Sequence, residues 1–368
     1  MSEPDSRGAA IDRETAGRLA GRRVLVTGAF GFLGGHVSRV LVDSGCTVCG
    51  VDIDTSEGRA SQLGLTGLRQ EIQVETGDVT DAGFLDELFA RSNFDHVFNF
   101  AASASVIQRA IVDPIRSIES SSMGVLHLLE GLRRSGQEVA SVVHVSSDKV
   151  YGDSKGLPYS ELGTALRGRG IYEVSKIAAD LFARAHSDAF GTRVAVARLC
   201  NIFGPFDLDA MPYRLVPKSM AAMFGATATA PNVYRRSRNH RRDYLFVDDC
   251  CRALILLALR AAESSEFAGR AFNLPGAANL TTAQMCSKAI EAAALVAERN
   301  GREDRAAAIR RNGYQIAEEP GQVVEIAVQE ASGELLRDTT GFHPERSIEL
   351  GLAATAQFYW DYYERTMS

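Results

Sequence analysis

The sequence has few of the residues that mark extracellular, membrane or nucleic-acid-binding proteins. It contains six cysteines and ten prolines in 368 residues, and 40 Lys and Arg against 46 Asp and Glu give a net charge of -6. The lack of excess positive charge excludes a generally basic nucleic-acid binder. An apolar share of 45% excludes a disordered chain, which needs low hydrophobicity and high net charge. A chain of this length is expected to form one large or two medium domains.

Long apolar runs are also missing. A transmembrane helix needs about 18 uninterrupted apolar residues, and the longest run, Ala253 to Leu259, is far shorter. Residues 1–21 are polar, carry charges of both signs and lack the apolar core of a signal peptide, so we interpret them as a flexible tail. We therefore expect a cytoplasmic protein that has no membrane partner.

The cysteines do not form a recognisable redox or metal motif. Cys46 and Cys49 form a CxxC, but they lie at the start of a strand-like run, whereas redox and zinc motifs prefer turns or helix N-termini. No second Cys/His pair has the spacing of zinc ligands. We interpret the cysteines as core residues of a reduced protein and expect no metal site. They stand at positions 46, 49, 200, 250, 251 and 286.

The first 200 residues alternate β-rich runs with helical patterns. Such alternation indicates parallel βαβ units, and strands that are almost wholly apolar are expected where helices cover both faces of a sheet. The sequence therefore predicts an α/β fold with a doubly wound parallel sheet. The predicted strands are Arg23–Val26, Val48–Val51, Ile72–Thr76, His96–Phe100, Val142–Ser146 and Val194–Leu199, and the predicted helices include Phe32–Ser44, Phe84–Arg91, Val125–Arg134 and Ser175–Phe190.

The pattern changes beyond Cys200, where glycine and proline cluster and an arginine-rich stretch, Arg235–Arg242, follows. We predict one domain over residues 22–200 and a smaller, mixed α/β domain that binds substrate over 201–368. The apolar run Tyr244–Val247 and the helical pattern after it indicate that the chain returns to the first domain at about 243–262. Residues 291–312 are rich in Ala, Arg and Glu, and we interpret them as a solvated helix.

The first predicted strand leads directly into a glycine-rich turn and a helix. Gly28, Gly31 and Gly34 are spaced G-x-x-G-x-x-G. In a dinucleotide site the first glycine permits a tight turn, the second lets the backbone approach a pyrophosphate, and the third allows close helix–strand packing. The helix N-terminus offers free N–H groups and a positive dipole end to the phosphates. The strand before and the helix after are the context that makes this triplet informative.

Acidic residues after the next two strands support a dinucleotide site. Asp52 ends the second predicted strand, where an acid accepts hydrogen bonds from the adenosine ribose and repels a 2′-phosphate. Asp54 follows and the nearest basic residue is Arg59, so NAD is favoured over NADP as cofactor. Asp78 follows the third predicted strand and is expected to meet the adenine amino group.

A serine, a tyrosine and a lysine suggest oxidation of a hydroxyl group. Ser147 ends a predicted strand, and Tyr172 and Lys176 share one face of a helix because they are four residues apart. Tyrosine, with a pKa near ~10, is a poor base at neutral pH. A neighbouring lysine ammonium and a positive nicotinamide ring are expected to lower the pKa of Tyr172, while Ser147 holds the substrate oxygen.

Together these motifs resemble the extended short-chain dehydrogenase/reductase family, in the branch that acts on nucleotide-diphosphate sugars. The resemblance covers residues 22–365 and is carried by GAFGFLGG, the strand end Asn99-Phe100-Ala101-Ala102, SSDKVYG, YEVSK, RLCNIFGP, RRDYLFVDD and GFHPERSIELGL. It implies a Rossmann-type fold, NAD as cofactor, a nucleotide-diphosphate sugar as substrate and a homodimer formed through two helices per subunit. A role in supplying sugars for a glycan or a glycosylated metabolite follows from the family alone.

The resemblance also assigns residues to roles. Ser147, Tyr172 and Lys176 match the family triad, Asn201 matches an asparagine near the substrate diphosphate, and Arg242 matches an arginine that grips it. Ser121 stands where the family usually has an asparagine. The implied cofactor contacts are Gly28, Phe30, Gly31, Phe32, Leu33, Gly34, Asp52, Ile53, Asp78, Val79, Phe100, Ala101, Ala102, Tyr172 and Lys176, and the implied substrate contacts are Ser103, Ser147, Asn201, Arg214, Leu215 and Arg242.

The two residues after Ser147 bear on the reaction. Simple 4-epimerases of the branch tend to have small neutral residues there, and this chain has Asp148 and Lys149. The pair is similar to that of certain 4,6-dehydratases, which remove the C5 proton and expel the 6-hydroxyl as water. Our hypothesis is that Asp148 protonates the leaving hydroxyl and Lys149 abstracts or relays the C5 proton.

Other functions remain open from the sequence. In an NAD-dependent 4-epimerase, or a related decarboxylase, Asp148 and Lys149 would be ordinary turn residues beside the same triad. A non-catalytic NAD-binding regulatory module is expected to lose Tyr172 or Lys176, and both are present. Nothing in the sequence identifies the nucleotide base or the sugar.

Overall fold

A computed structural model describes residues 12–102, 107–153, 155–208, 213–318 and 326–367. The helices are α1 Arg13–Leu19, α2 Phe32–Asp43, α3 Gln62–Leu65, α4 Ala82–Arg91, α5 Ile107–Val112, α6 Pro114–Ile118, α7 Gly124–Ser135, α8 Ile171–Phe190, α9 Leu215–Phe224, α10 Val247–Glu263, α11 Thr282–Arg299, α12 Glu303–Asn312, α13 Glu334–Thr340 and α14 Ile348–Met367. The strands are β1 Arg23–Thr27, β2 Thr47–Asp52, β3 Gln73–Thr76, β4 His96–Asn99, β5 Ser141–Ser147, β6 Val194–Leu199, β7 Asn201–Phe203, β8 Asn232–Tyr234, β9 Arg241–Phe246, β10 Arg270–Leu274, β11 Ala278–Thr281 and β12 Gln315–Ala317.

The main sheet is parallel and doubly wound, as the alternation predicts. Its seven strands run in the order β10-β6-β5-β4-β1-β2-β3. The chain therefore reverses direction across the sheet between β1 and β4, and such a switch point leaves a crevice at the carboxyl ends of the strands. The six predicted strands of the first domain agree with β1–β6 to within one residue at each end.

Helices cover both faces of this sheet and bury its apolar strands. On one face α2 and α10 supply Val37, Leu41 and Leu254 to the core. On the other face α4, α7 and α8 supply a second core that includes Leu88 and Leu128. Each buried leucine or valine side chain contributes about 1.5–3 kcal/mol of transfer free energy, so these two layers hold the sheet rigid beneath its loops.

Two small sheets complete the fold beyond residue 200. One has the order β11-β9-β7 and the other pairs β12 with β8. The run Tyr244–Val247 was predicted to return to the first domain, but the structure places Tyr244–Phe246 in β9 of the small sheet and Val247 at the start of α10. The return is made by helix α10, which packs on the main sheet, and by β10, which pairs with β6. An apolar run alone does not reveal which sheet a strand joins.

Two further predictions about helices are wrong. Within the segment predicted as a flexible tail, α1 begins at Arg13 under an Asp12 cap, and its Leu19 is fully buried; residues 1–11 lie outside the described residues. The stretch 291–312 is not one solvated helix. It contains the end of α11, where Ala293 and Ala297 are fully buried, and then α12. Alanine is compatible with both a solvated and a packed helix face, which explains the error.

No helix in the described part of the chain combines the length and the apolar character needed to cross a bilayer. All six cysteines are free thiols, and five of them are buried. Burial raises the pKa of Cys49 to about 12 and that of Cys286 to about 11, so both remain protonated and unreactive near neutral pH.

A buried ion pair joins β6 to α8 directly beneath the loop that follows β5. Arg198 donates two hydrogen bonds to the carboxylate of Asp180, at 2.8 and 2.9 Å, and both side chains are at most 2% exposed. The third guanidinium nitrogen donates to the Tyr151 hydroxyl at 2.6 Å, and that hydroxyl donates to Asn273 at 2.7 Å. The network therefore fixes Tyr151 and the turn to which it belongs.

Removal of the charge of one partner of this ion pair should destabilise the protein. We expect Asp180→Asn to lower the free energy of unfolding by about 3–5 kcal/mol, because it leaves the Arg198 guanidinium buried without its counter-charge. Urea denaturation followed by circular dichroism measures the loss. Asp86→Asn, which breaks the exposed Arg134–Asp86 pair, is the matched control and should change stability by no more than about 1 kcal/mol. Equal effects of the two substitutions would contradict a structural role for the buried pair.

Candidate active site

A cavity of about 620 Å³ opens at the carboxyl ends of the main-sheet strands and extends toward the small sheets. Nearly all the residues predicted from the sequence line it. Phe30 is not among its lining residues, because its side chain is buried in the core. Ser103 lies outside the described residues. The predicted residues that line the cavity are Gly28, Gly31, Phe32, Leu33, Gly34, Asp52, Ile53, Asp78, Val79, Phe100, Ala101, Ala102, Ser147, Asp148, Lys149, Tyr172, Lys176, Asn201, Arg214, Leu215 and Arg242.

The turn after β1 has the shape that a pyrophosphate requires. Gly28 has φ +70°, a left-handed conformation that favours glycine. A Cβ on Gly34 would lie 2.1 Å from the Gly28 carbonyl oxygen, so only glycine permits this contact between helix and turn. Helix α2 begins after Gly31, whose lack of a side chain leaves the first N–H groups of the helix without a side-chain cap. These groups fit the phosphates of a dinucleotide.

Arginines contact two acids near the strand ends. Asp52 is the last residue of β2, and Asp78 follows β3. One carboxylate oxygen of Asp52 accepts from the Phe30 N–H at 2.9 Å, and the other accepts from Arg59 at 2.8 Å. Asp78 accepts from Arg116 at 2.5 Å. Phe30 thus acts through its backbone by orienting Asp52. Arg59 and Arg116 both line the cavity and neutralise part of the acidic charge at the end where adenosine is expected.

Helix α8 brings the tyrosine and lysine to the tip of β5. It begins at Ile171, so Tyr172 lies in its first turn and Lys176 one turn later, and both face the cavity. Ser147 lies beside the Tyr172 side chain, and Lys176 donates to the Val145 carbonyl at 3.3 Å. The predicted triad of Ser147, Tyr172 and Lys176 is therefore assembled in one place.

The pKa of Tyr172 is raised, whereas the sequence predicted that it would be lowered. Burial raises the pKa of Tyr172 in the protein alone, and the polar Ser147 hydroxyl beside it opposes that rise only in part. Burial also lowers the pKa of Lys176 to about 8, which weakens the lysine as a source of positive charge. Desolvation therefore outweighs the pairing that the sequence suggested. A positive nicotinamide ring beside the phenol would act in the opposite direction.

Asp148 and Lys149 lie next to Ser147 at the same strand end. Asp148 is 1% exposed, and burial raises the pKa of its carboxyl group, although the charges of Lys149 and Arg242 act against that rise. Its Oδ1 accepts from Ser147 at 3.3 Å and from Gln329 at 3.0 Å. Its Oδ2 is buried and has no hydrogen-bond partner among the described residues. A buried carboxyl group with a raised pKa and one oxygen without a partner is suited to act as a proton donor.

The other end of the cavity carries positive charge. Arg214 pairs with Asp207 at 3.0 Å and lies over the Phe32 ring, with 5.7 Å between the guanidinium carbon and the ring centroid. Arg242 stands on β9 and donates to the Arg241 carbonyl, and Asn201 donates from β7 to the Asp243 carbonyl. In the run Arg235–Arg242, Arg242 is the arginine that lines the cavity, whereas Arg235 pairs with exposed Glu318.

Ser121 belongs to a short π-helical segment, Glu119–Met123, between α6 and α7. Its hydroxyl is buried and finds no partner among the described residues. The serine therefore does not reproduce the contacts of a longer amide side chain. Its neighbour Ser122 donates instead to the Ser175 carbonyl of α8 at 3.0 Å.

Sequence reasoning missed three residues that shape the site. Arg59 and Arg116 contact the two acids described above, and Gln329 bridges Asp148 to Lys149. Arg59 was noted only as the nearest basic residue. Gln329 is 180 residues distant from Lys149 and carries no motif, so no signal in the sequence could have found it.

Comparison with known proteins identifies the family. A family described as "NAD dependent epimerase/dehydratase family" matches residues 24–274, more than half of the chain. The chain is 29% identical over 369 residues to UDP-glucuronate 4-epimerase 3 of Arabidopsis thaliana, covering 95% of this chain and 80% of that protein. It is also 29% identical over 343 residues to dTDP-glucose 4,6-dehydratase of Xanthomonas campestris, covering 91% and 92%.

Solved structures share the fold. DesIV, a dTDP-glucose 4,6-dehydratase of Streptomyces venezuelae solved as a double mutant with NAD bound, superposes with a TM-score of 0.75 at 25% identity and covers 92% of this chain and 96% of that chain. Epimerase Mth375 of Methanothermobacter thermautotrophicus gives a TM-score of 0.77 at 22% identity, with 96% and 97% covered, and this likeness concerns the fold alone.

The glycine turn yields a direct test. We expect Gly34→Ala to weaken NAD binding by about tenfold or more, because overpacking against the Gly28 carbonyl costs about 1–3 kcal/mol and displaces the turn. Isothermal titration with NAD measures the change. Gly17→Ala in α1 is the control, since a Cβ there meets nothing within 4 Å, and it should leave NAD affinity unchanged. Unchanged affinity in the Gly34 variant would contradict the assignment of this turn to the pyrophosphate.

Proposed function

The chain belongs to the NAD dependent epimerase/dehydratase family, and we propose that it is a 4,6-dehydratase of a nucleotide-diphosphate hexose. As a member of this family it is an enzyme whose cofactor is NAD. The observation that carries the finer proposal is the buried, partly unpaired carboxyl group of Asp148 beside Lys149, adjacent to the triad. A 4-epimerase needs no further acid and base at this position, whereas an elimination does.

The first step is oxidation of the sugar at C4. NAD, when bound, would accept the hydride from C4 and return it to C6 after the elimination, while C5 takes back a proton that exchanges with solvent. Tyr172 takes the proton of the C4 hydroxyl, and Ser147, which lies beside Tyr172, holds the substrate oxygen in line. Lys176 carries its charge on the same helix face and stabilises the phenolate. Because burial alone raises the pKa of Tyr172, the phenolate forms only when positive charge is brought beside it.

The second step is loss of water across C5 and C6. The ketone at C4 makes the C5 proton acidic, and Lys149, in its neutral form, takes that proton. The electron pair of the C5–H bond forms the C5–C6 double bond, and the C6–O bond breaks. Asp148 gives its proton to the leaving hydroxyl, which departs as water. A raised pKa keeps Asp148 protonated for this role at a pH where an ordinary carboxyl is ionised.

The charge at the far end of the cavity suits the nucleotide diphosphate. Arginine is well matched to phosphate oxygens because its planar guanidinium makes paired hydrogen bonds. Arg242 and Arg214 line the cavity on opposite elements, β9 and the cap of α9, with Asn201 between them on β7. A diphosphate held there leaves the hexose directed toward Ser147 and Tyr172.

The relatives do not favour one reaction. They include UDP-glucuronate 4-epimerases as well as dTDP-glucose 4,6-dehydratases, at equal identity. A 4-epimerase or a decarboxylase would use the same triad and would leave Asp148 and Lys149 without a chemical role. A non-catalytic NAD-binding module would need none of these groups.

Mass spectrometry of a panel of nucleotide-diphosphate hexoses, incubated with enzyme and NAD in deuterated water, tests the proposal. We expect one sugar to lose a molecule of water and to gain deuterium at C5. The Tyr172→Phe variant should give no product, since oxidation precedes elimination. An unchanged formula with inverted C4 would instead identify a 4-epimerase, and binding of NAD without turnover of any sugar would indicate the non-catalytic module.

We also propose that the enzyme is a homodimer assembled on α8 and its neighbours α5 and α6. Four apolar side chains of α8 lie on the side of the helix opposite Tyr172 and Lys176, and they remain exposed in the single chain. Val112 and Ile115 on the adjoining short helices are exposed as well, at 85% and 69%. The exposed apolar residues of α8 are Ile171, Val174, Leu181 and Phe182.

Light scattering after size exclusion distinguishes dimer from monomer. We expect the wild type to have twice the mass of one chain and Leu181→Glu to have half the wild-type mass, because a buried unpaired carboxylate is costly at an interface. Leu162→Glu, at a 95% exposed leucine outside these three helices, is the control and should remain dimeric. A monomeric wild type, or a dimeric Leu181 variant, would contradict this interface.

A further inference from the structure

A glutamine from the carboxyl-terminal part of the chain bridges the two groups to which we assign the elimination. Gln329 is fully buried, and its Nε2 lies 3.0 Å from Asp148 Oδ1 while its Oε1 lies 3.1 Å from Lys149 Nζ. It reaches across 180 residues of sequence to touch both members of the pair.

We propose that Gln329 is a positioning residue that aligns Asp148 as acid and Lys149 as base for the elimination. The inference rests on the proposed 4,6-dehydratase function and deepens it. Gln329 forms and breaks no covalent bond in the reaction. It acts through the two hydrogen bonds of its amide group, which set where the acidic proton of Asp148 resides and where the amine of Lys149 stands.

The orientation of the amide follows from the chemistry of its partners. In its protonated form Lys149 has three donors and no acceptor, so the amide atom that faces it is oxygen. The acidic limb of the pH profile marks the loss of that proton, which gives the neutral base. The NH₂ group of Gln329 is then turned toward Asp148 and donates to Oδ1. The single planar amide thus fixes a donor on one side and an acceptor on the other.

This arrangement confines the acidic proton of Asp148 to one oxygen. Oδ1 already accepts from Ser147 and from Gln329, so a proton on that oxygen would face two donors. Oδ2 has no hydrogen-bond partner among the described residues, and a buried polar atom in that state requires one. The proton of the neutral acid therefore belongs on Oδ2, and the leaving hydroxyl of a substrate provides the missing acceptor.

The backbone of Gln329 is held independently of its side chain. Its N–H donates to the Arg241 carbonyl at 3.0 Å, and its carbonyl accepts from Asn279 at 2.8 Å. Ala331, two residues on, donates its N–H to Asp243 at 2.8 Å. These contacts anchor the segment to β9 and β11, so the amide reaches the acid and the lysine from a fixed support and the site needs no reorganisation at the moment of reaction.

Loss of the Gln329 amide should move each limb of the pH profile for elimination in a direction set by the hydrogen bond that is lost. Donation to Oδ1 favours the ionised form of Asp148, so its removal raises the pKa of that acid and moves the alkaline limb to higher pH. Acceptance by Oε1 favours the protonated form of Lys149, so its removal moves the acidic limb to lower pH. The other groups that act on Asp148 stay in place on their own elements: Ser147, Arg242, Asp243, Tyr159, Tyr172 and Cys200.

The test compares Gln329→Met, which keeps the size and removes both hydrogen bonds, with the wild type in rapid-quench experiments on the sugar that the enzyme dehydrates. We expect oxidation at C4 at the wild-type rate, a KM within about threefold, and elimination slowed by about 10- to 100-fold. The acidic limb of the pH profile for elimination should move to lower pH, and the alkaline limb should move to higher pH. Gln329→Glu, which retains an acceptor for Lys149 and loses the donor to Asp148, should slow elimination to a similar degree and serves if the methionine variant does not fold.

Gln137→Met is the matched control. Gln137 also bridges several groups, since its amide donates to the Phe89 and Ser92 carbonyls, but it lies at the opposite end of the sheet from the cavity. Its replacement should lower stability without moving either limb. Wild-type elimination in both folded Gln329 variants, or lower rates without any shift of the limbs, would overturn the inference alone. A wild-type enzyme that eliminates no water would overturn the proposed function and this inference with it.

Discussion

The buried pair of Arg198 and Asp180 is the constraint on which the active site depends. Both side chains are almost completely buried, and burial of a charge is costly. Two parallel hydrogen bonds between the guanidinium and the carboxylate offset that cost. The remaining guanidinium N–H groups have one strong acceptor close by, the Tyr151 hydroxyl. Tyr151 ends the turn that begins at Ser147. The buried ion pair therefore also fixes the position of the turn that carries the residues to which we assign the chemistry.

Desolvation then sets the protonation states in the cavity. Burial raises the pKa of both Tyr172 and Asp148 and lowers that of Lys176 to about 8. The three shifts share one cause, since each disfavours the charged form of its group. A neutral acid suits Asp148 in the elimination. The neutral phenol of Tyr172 does not suit a base, and the positive nicotinamide ring of NAD beside it would favour the phenolate.

The sequence predicted what is local and missed what is brought together by folding. The strands β1–β6, the glycine turn and the spacing of Tyr172 and Lys176 depend on neighbours in the chain, and all were placed correctly. The main sheet also gains β10, and Tyr244–Phe246 joins a different sheet, because the partners of a strand depend on the whole fold. Gln329 illustrates the limit most clearly. Its importance lies in contacts with Lys149 and Asp148, which are 180 and 181 positions away, and no local pattern can encode them.

The central claim is that a buried carboxyl group, held beside a lysine, turns an oxidised sugar into a dehydrated one. Stopped-flow absorbance of reduced nicotinamide, combined with rapid-quench mass spectrometry on Asp148→Asn, tests it most directly. We expect the variant to oxidise the sugar, after which reduced nicotinamide should persist. Loss of water should be slowed by about 10²- to 10⁴-fold. Loss of water at the wild-type rate in a folded Asp148→Asn enzyme would contradict it.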